Sequence, residues 1–417
     1  MKRDAGECVV LAMLLCIAVV SSAMPVSATG TTEVNVTKYC ANNYSRVLNE
    51  TTIPLNYTWM QNNTPQQYSN GPVYMQGPSF NSSDPWGDAG QNMICFYTHN
   101  GTLIANLTDY IKLDGEDKGM SPGDEIAIHG INGPLTRWFN YTHIYEPHDS
   151  QGYMVLTWWD DEYGYVPNFT YGMRLYFYRN KTGDYGVDDS LNMTNREMYS
   201  SFGPWYHYNY SGNWPSMKGL SVKHVDNIYI YPPHLHDFND TGDTTGWAFG
   251  NETGESPGAN DPNIEFNSTA YDAIADDDGT YQSDVTTTNG SYAAHRFNFS
   301  IETSTAKDGP IADIEKLNVT WHGKGRHDSA TDGANLYIYN YNTPGYELLQ
   351  ASEITEEPVY LTGEKTSGIS NYVSATNNVT VLVNQTSAQI TPEEEPTKYS
   401  HIETDYVKLV VTHHHHN

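Results

Sequence analysis

Positive charge is what this chain has least of: 21 Lys and Arg against 50 Asp and Glu leave a formal charge of -29. Such a surface repels nucleic acid, and no basic stripe overrides it, so cations and uncharged glycans are the compatible partners. Cysteine is scarce too, at 4 residues, of which Cys8 and Cys16 fall in the N-terminal leader. Cys40 and Cys95 then remain as an even pair, and in an oxidising compartment they are expected to form one disulfide. Beyond Val9–Val20 no apolar run is long enough to span a bilayer, so the mature chain is expected to carry no transmembrane segment. Helical periodicity over long stretches is absent, as is any repeat of 20 to 50 residues. Also missing are a Gly-x-Ser-x-Gly elbow, a His-Glu-x-x-His helix and a phosphate-cradling glycine loop, so the enzyme reading is the weaker one.

What is present in excess is the Asn-x-Ser/Thr triplet. It occurs at Asn35, Asn43, Asn49, Asn56, Asn62, Asn81, Asn100, Asn106, Asn140, Asn168, Asn180, Asn192, Asn209, Asn251, Asn267, Asn289, Asn298, Asn318, Asn378 and Asn384, and again at Asn239. Ordinary sequence order does not produce that density, which reads as a set of acceptors for surface N-glycans. The leader agrees. Lys2 and Arg3 precede the apolar run, and small residues around Ala23 and Ala28 offer a cleavage site, so residues 1–28 read as a secretory signal peptide. A secreted or cell-surface location follows.

Thirty-three tyrosines, 9 tryptophans and abundant glycine suit β-sheet more than helix. Alternation over five to seven residues recurs in Phe297–Ile301, Leu317–Trp321, Leu336–Tyr339, Val379–Val383 and Tyr406–Val411, separated by turn residues. The expected class is all-β, as two antiparallel β-sandwich (jelly-roll) domains. Alternation and triplets agree on faces: if Phe297, Phe299, Leu317, Val319, Val379 and Val381 point inward, then Asn298, Asn318, Asn378 and Asn384 point outward. Pro232 and Pro233 stop a strand, which places one domain at 29–233 and the other at 234–412. The His-rich tail at 413–417 reads as a tag or chance tract outside the fold, and His234-Leu235-His236 reads as linker.

From Tyr271-Asp272-Ala273-Ile274 and Asp277-Asp278-Gly279-Thr280-Tyr281, through Ala294–Phe299, Leu317–Gly323, Leu336–Tyr341 and Tyr346–Leu349 to Ile402–Val407, the second half resembles galactose-binding-like (discoidin-type) jelly-roll modules of archaeal and bacterial secreted surface proteins. The resemblance implies a fold that binds sugars or builds surface structures without chemistry of its own. It also implies a structural calcium between an early loop and the last strand, recruiting Glu403 or Asp405. Phe202–Tyr208 and Gly219–Tyr231 are loosely similar to the closing strands of concanavalin-like and laminin-G jelly rolls. The triplet density with a leader resembles methanogen cell-surface glycoproteins in general style.

Sugar rings stack on aromatic faces, which makes Trp158, Trp159, Trp205, Tyr206, Tyr208 and Trp214 the candidate glycan platform; core packing is the competing reading. Calcium needs six to eight oxygens, and Asp237, Asn239 and Asp243 offer them in one segment, Asp276, Asp277 and Asp278 in another. A solvated turn competes with calcium at each. For a polysaccharide hydrolase or lyase, Asp160 and Glu162 are the carboxylates at permissible spacing. A glycan-binding envelope or matrix protein is the leading expectation; the hydrolase and a self-assembling structural subunit are the alternatives.

Overall fold

The computed structural model describes residues 30–42, 47–48, 54–69, 71–78, 93–113, 115–131, 135–169, 171–178, 192–210, 214–239, 246–303, 308–329, 332–353 and 357–417. The leader, Asn43, Asn49, Asn81, Asn180 and Asp243 lie outside these residues. The side chains of Asn192, Asn209 and Trp214 do so as well.

The chain is mostly β. In the first half one sheet runs in the order Leu55–Asn56, Glu33–Lys38, Val225–Tyr231, Glu125–Gly130, Leu135–Asn140. A second runs Gly164–Tyr165, Tyr153–Asp160, His99–Leu103, Gln66–Tyr68, with Arg174–Tyr178 also paired to Tyr153–Asp160. Buried apolar residues from Val34 to Ile230 form one core that draws on both sheets. In the second half one sheet holds His234–His236, Ser400–His413, Ile314–His327 and Val359–Lys365, with Gln282–Val285 added on Ser400–His413. The other holds Ile264–Glu265, Gly246–Gly250, Tyr292–Ser300, Asn378–Gln385, Ala334–Asn340 and Gly345–Ser352. Its core runs from Ala248 to Val411.

Pairing is largely antiparallel, with two exceptions among the described strands. Glu33–Lys38 lies parallel to Val225–Tyr231, and Asn192–Met193 parallel to Val73–Gln76. The first of these closes the sheet between the two ends of the first half.

Alternation places the core as its period requires: Phe297, Phe299, Leu317, Val319, Trp321, Val379, Val381 and Val383 are fully buried. Asn298, Asn318, Asn378 and Asn384 occupy the opposite faces and are half-buried there. Each half also buries an indole whose N–H is satisfied by a threonine on another strand. Trp158 Nε1 donates to Thr102 Oγ1 (3.1 Å) and Trp321 Nε1 to Thr404 Oγ1 (2.8 Å).

Three triplet asparagines cap short helices. Asn56 Oδ1 accepts from Trp59 N, Asn140 Oδ1 from His143 N and Asn267 Oδ1 from Ala270 N, each at the start of a helix. Two others have an enclosed amide. Asn100 is buried and its Nδ2 donates to Gln66 Oε1 (2.7 Å), and Asn106 Nδ2 is enclosed without a partner. Outward orientation therefore does not extend to these two.

The expected disulfide is not formed. Cys40 follows the strand Glu33–Lys38, whereas Cys95 lies opposite Tyr74 in the separate ribbon of Val73–Gln76 and Met93–Phe96, and both are free thiols.

The tail is not outside the fold. His413 completes the strand Ser400–His413, His414 N donates to Asp313 O (3.0 Å), and Asn417 Nδ2 donates to Trp138 O (3.1 Å) and Tyr206 O (2.8 Å). Nor is His234–His236 a linker. It is a strand paired with Leu409–Val411, and its alternation sends both imidazoles to one face, where each contacts Asp308 Oδ1 (2.7 and 2.8 Å).

Candidate functional site

The expected aromatic platform is mostly core. Trp158 and Tyr206 are buried, Trp205 packs against His414, and Tyr208 carries the Arg137 guanidinium on its ring at 4.0 Å. Trp159 is half-buried on the opposite side of its strand from Trp158. Burial follows from sequence position: Trp158 is in phase with the apolar residues Met154 and Leu156.

Exposed aromatic surface instead gathers at the turn after Tyr153–Asp160. Tyr97 and Tyr163 are each 43% exposed with ring centroids 6.1 Å apart, and the exposed Tyr171 packs edge-on against Phe96 and Phe169 with the Arg174 guanidinium over its ring at 4.9 Å. Tyr165 stacks over the buried Trp158 indole and beside Tyr57. Glu162 sits among them. Its carboxylate takes the Tyr97 hydroxyl, which pushes that phenol up to about 12, and its charge raises Tyr163 as well. Asp161 Oδ1 accepts from Thr98 N (3.1 Å), tying the turn to the connection just before the strand His99–Leu103.

The carboxylate pair expected for hydrolysis is not assembled. Asp160 ends its strand facing inward and spends Oδ1 on the turn, accepting from Glu162 N (3.1 Å) and Tyr163 N (2.5 Å). Glu162 is in the exposed turn, so the two do not flank a cleft. Strand alternation ends at Asp160, which is why the spacing misled.

The calcium segments fare differently from one another. Asp237 is buried and accepts from Tyr406 OH (3.0 Å), Asn239 bonds Asp276, Asp278 Oδ1 accepts from Thr280 N (2.8 Å), and Glu403 pairs with Arg326. Among the described residues none of these joins a cluster of converging ligand atoms. Asp277 and Asp405 do converge, joined by His322, a residue no loop motif pointed to. His322 Nδ1 lies 2.7 Å from Asp277 Oδ1 and 2.8 Å from Asp405 Oδ2.

A β-bulge builds this cluster. His322 is opposite Tyr406, but Gly323 is opposite Thr404, which leaves Asp405 as the extra residue. Gly323 is required there, because a Cβ would sit 2.1 Å from Glu403 O and 2.4 Å from the Trp321 ring. Gly279, at φ +85°, brings its N–H to both oxygens of Asp405 (3.1 and 3.2 Å). Tyr360 stacks on the His322 ring at 4.0 Å and donates to Asp277 Oδ2 (2.5 Å). That hydroxyl holds the Asp277 carboxyl below its usual range, and burial pushes Asp405 up. The one sequence signal for His322 was its outward phase in the Leu317, Val319, Trp321 alternation.

A family model described as "Uncharacterized protein, C-terminal domain" matches residues 243–413, the sandwich that carries this cluster. No curated protein matches the chain. Similar solved structures include the CBM22-1 xylan-binding domain of Paenibacillus barcinonensis Xyn10C, at 10% identity over 43% of this chain and 93% of that one, with a TM-score of 0.20. The N-terminal cellulose-binding domain of Cellulomonas fimi β-1,4-glucanase C gives 13% identity over 42% and 92%, with a TM-score of 0.19. Overlaps this slight place none of the residues described above.

Proposed function

We propose that this chain is a secreted, N-glycosylated protein of a cell surface or extracellular matrix that binds carbohydrate, and that it is not an enzyme. The observation that carries the binding reading is the pair of exposed tyrosines, Tyr97 and Tyr163, beside the Glu162 carboxylate, with the exposed Tyr171 close by. An apolar pyranose face stacks on such rings while its hydroxyls donate to the carboxylate, a pairing that needs no deep pocket. The acidic surface favours an uncharged polysaccharide over an acidic one. Secretion and glycosylation are supported by the leader and the triplet density.

Binding is tested on a glycan array followed by calorimetry on the best neutral saccharide. Stacking contacts of about 0.5–1.5 kcal/mol each make the Tyr97→Ala/Tyr163→Ala double variant about tenfold weaker, or about 1.4 kcal/mol. Equal affinity in that variant, or no saccharide bound by the native protein, would overturn the reading. Glycosylation is tested separately by the mass lost from native protein on enzymatic deglycosylation.

A further inference from the structure

We propose that Asp277, His322 and Asp405 bind a divalent first-row transition ion, zinc in preference to calcium. This goes beyond carbohydrate binding and does not depend on it. Two carboxylates and one imidazole nitrogen converge on the same point, and their ligand atoms all lie within 4.8 Å of one another. An imidazole N–H can serve one acceptor along its own axis. Here His322 Nδ1 has two carboxylate oxygens within 2.8 Å, yet neither contact has hydrogen-bond geometry and the atom is buried.

Like charges are brought together at this point without a Lys or Arg partner: among the described residues no lysine or arginine is paired with Asp277 or Asp405. A cation at the focus would accept all three lone pairs at once and remove the repulsion. The outer groups are placed as metal ligands need them. Gly279 N–H orients Asp405, and the Tyr360 hydroxyl orients Asp277 while its ring fixes the His322 plane.

The donor set selects the class of ion. Calcium takes six to eight oxygens, whereas Asp276, Asp278 and Glu403 each have one carboxylate oxygen turned to another partner and none of the three joins the cluster. One imidazole with two carboxylates suits zinc, at about 2.0–2.2 Å from nitrogen and oxygen. Asp405 is fully buried and Asp277 exposed, so the coordination position beside Asp277 opens to solvent.

The test is calorimetric titration of metal-stripped full-length protein with zinc chloride and, separately, calcium chloride, together with the visible spectrum of the cobalt(II) form. Comparison variants are His322→Gln, Asp277→Asn and Tyr360→Phe. The expected result is a zinc site weakened at least about 100-fold in both ligand variants and about tenfold in Tyr360→Phe, with loss of the cobalt spectrum in His322→Gln. Asp277 is the exposed ligand, so its variant reports even if His322→Gln fails to fold. Zinc bound equally by wild type, His322→Gln and Asp277→Asn would place it elsewhere, on His234, His236 and Asp308 or on the His413–His416 run, and overturn the proposal. So would calcium binding that His322→Gln leaves unchanged, or no metal binding at all, which would leave the carboxylates sharing a proton.

Discussion

His415 lies flat against Trp138, ring centroids 3.6 Å apart and planes within 5°, while its Nδ1 reaches Glu125 Oε2 at 2.6 Å. The last residues of the chain are thereby fixed to the first half. Glu125, buried at the end of its strand, also accepts from Tyr206 OH (2.5 Å), and His414 Nδ1 stands 3.1 Å from Oε1. His414 Nε2 meets Glu315 at 3.0 Å, so one imidazole bridges two carboxylates.

This junction has a defined pH dependence. Burial alone would raise Glu125, but His414, His415 and Tyr206 outweigh it and hold the carboxyl near about 2, below its ordinary 4.5. Burial alone would lower His414, but Glu125 and Glu315 raise it to about 9 from 6.5. A lowered carboxylate contributes stability above 4.5 that is lost as pH falls toward 2; a raised histidine contributes stability below 6.5 that is lost as pH rises through 9. His413, buried and lowered to about 4, acts in the opposite sense between 4 and 6.5. The difference in melting temperature between wild type and His414→Asn isolates the bridge. It is expected to be largest between about pH 4.5 and 6.5, to fall as Glu125 is protonated toward 2 and to shrink toward zero above 9. A difference independent of pH would remove the charged bridge from the account.

Thr102→Val tests two statements about one residue. The hydroxyl accepts the Trp158 indole N–H and contacts Thr64 Oγ1 (3.0 Å), so its loss leaves a buried donor unpaired, at about 1–3 kcal/mol in urea unfolding. The same change destroys the triplet at Asn100, whose amide is already engaged by Gln66. Glycan mass should therefore stay constant while stability falls. A drop in glycan mass would mean that Asn100 is modified and that its strand differs from the one described.

Asn267 makes the converse case. Its Oδ1 caps the helix Ser268–Asp272 and the side chain is otherwise exposed, so a glycan on Nδ2 is compatible with the cap. Asn267→Ala should cost about 1 kcal/mol, and Asn267→Asp close to nothing, while both remove the acceptor. Equal stability loss in the two variants would show that the oxygen cap is not what matters there.

Period-two patterning made the second-half strands legible, because Phe297, Leu317 and Val379 each begin a run whose inward residues are apolar; the outward ones are polar except Leu382, which is buried on its own face. The parallel pairing of Glu33–Lys38 with Val225–Tyr231 has no comparable local signal, since it joins segments about 190 residues apart in register. Asp277 and Asp405 were legible as oxygen donors, but His322 joins them only through a bulge, and a bulge is marked in sequence by nothing more than Gly323. The tyrosine face was obscured by its tryptophan neighbours: Trp158 has the larger aromatic surface, yet its phase along the strand commits it to the core.

His234 and His236 carry the clearest misreading and the largest expected effect. After Pro232-Pro233 they look like linker, yet their two-residue spacing is the strand period, and both rings meet on the buried Asp308 carboxylate. Asp308 Oδ2 in turn accepts from Glu302 N (2.6 Å), so one side chain ties the first strand of this sandwich to the loop after Tyr292–Ser300. The two imidazoles outweigh the cost of burial and hold the carboxyl well below its usual range. Removing one partner of a buried, charge-assisted group costs about 3–5 kcal/mol, so Asp308→Ala should lower urea stability by that much. It should also expose the amides of His234–His236 to hydrogen exchange before those of the Trp321 strand, while Asp308→Asn, which keeps the bond to Glu302, should lose less. A loss below about 1 kcal/mol for Asp308→Ala would mean that the histidine pair is held by its strand alone.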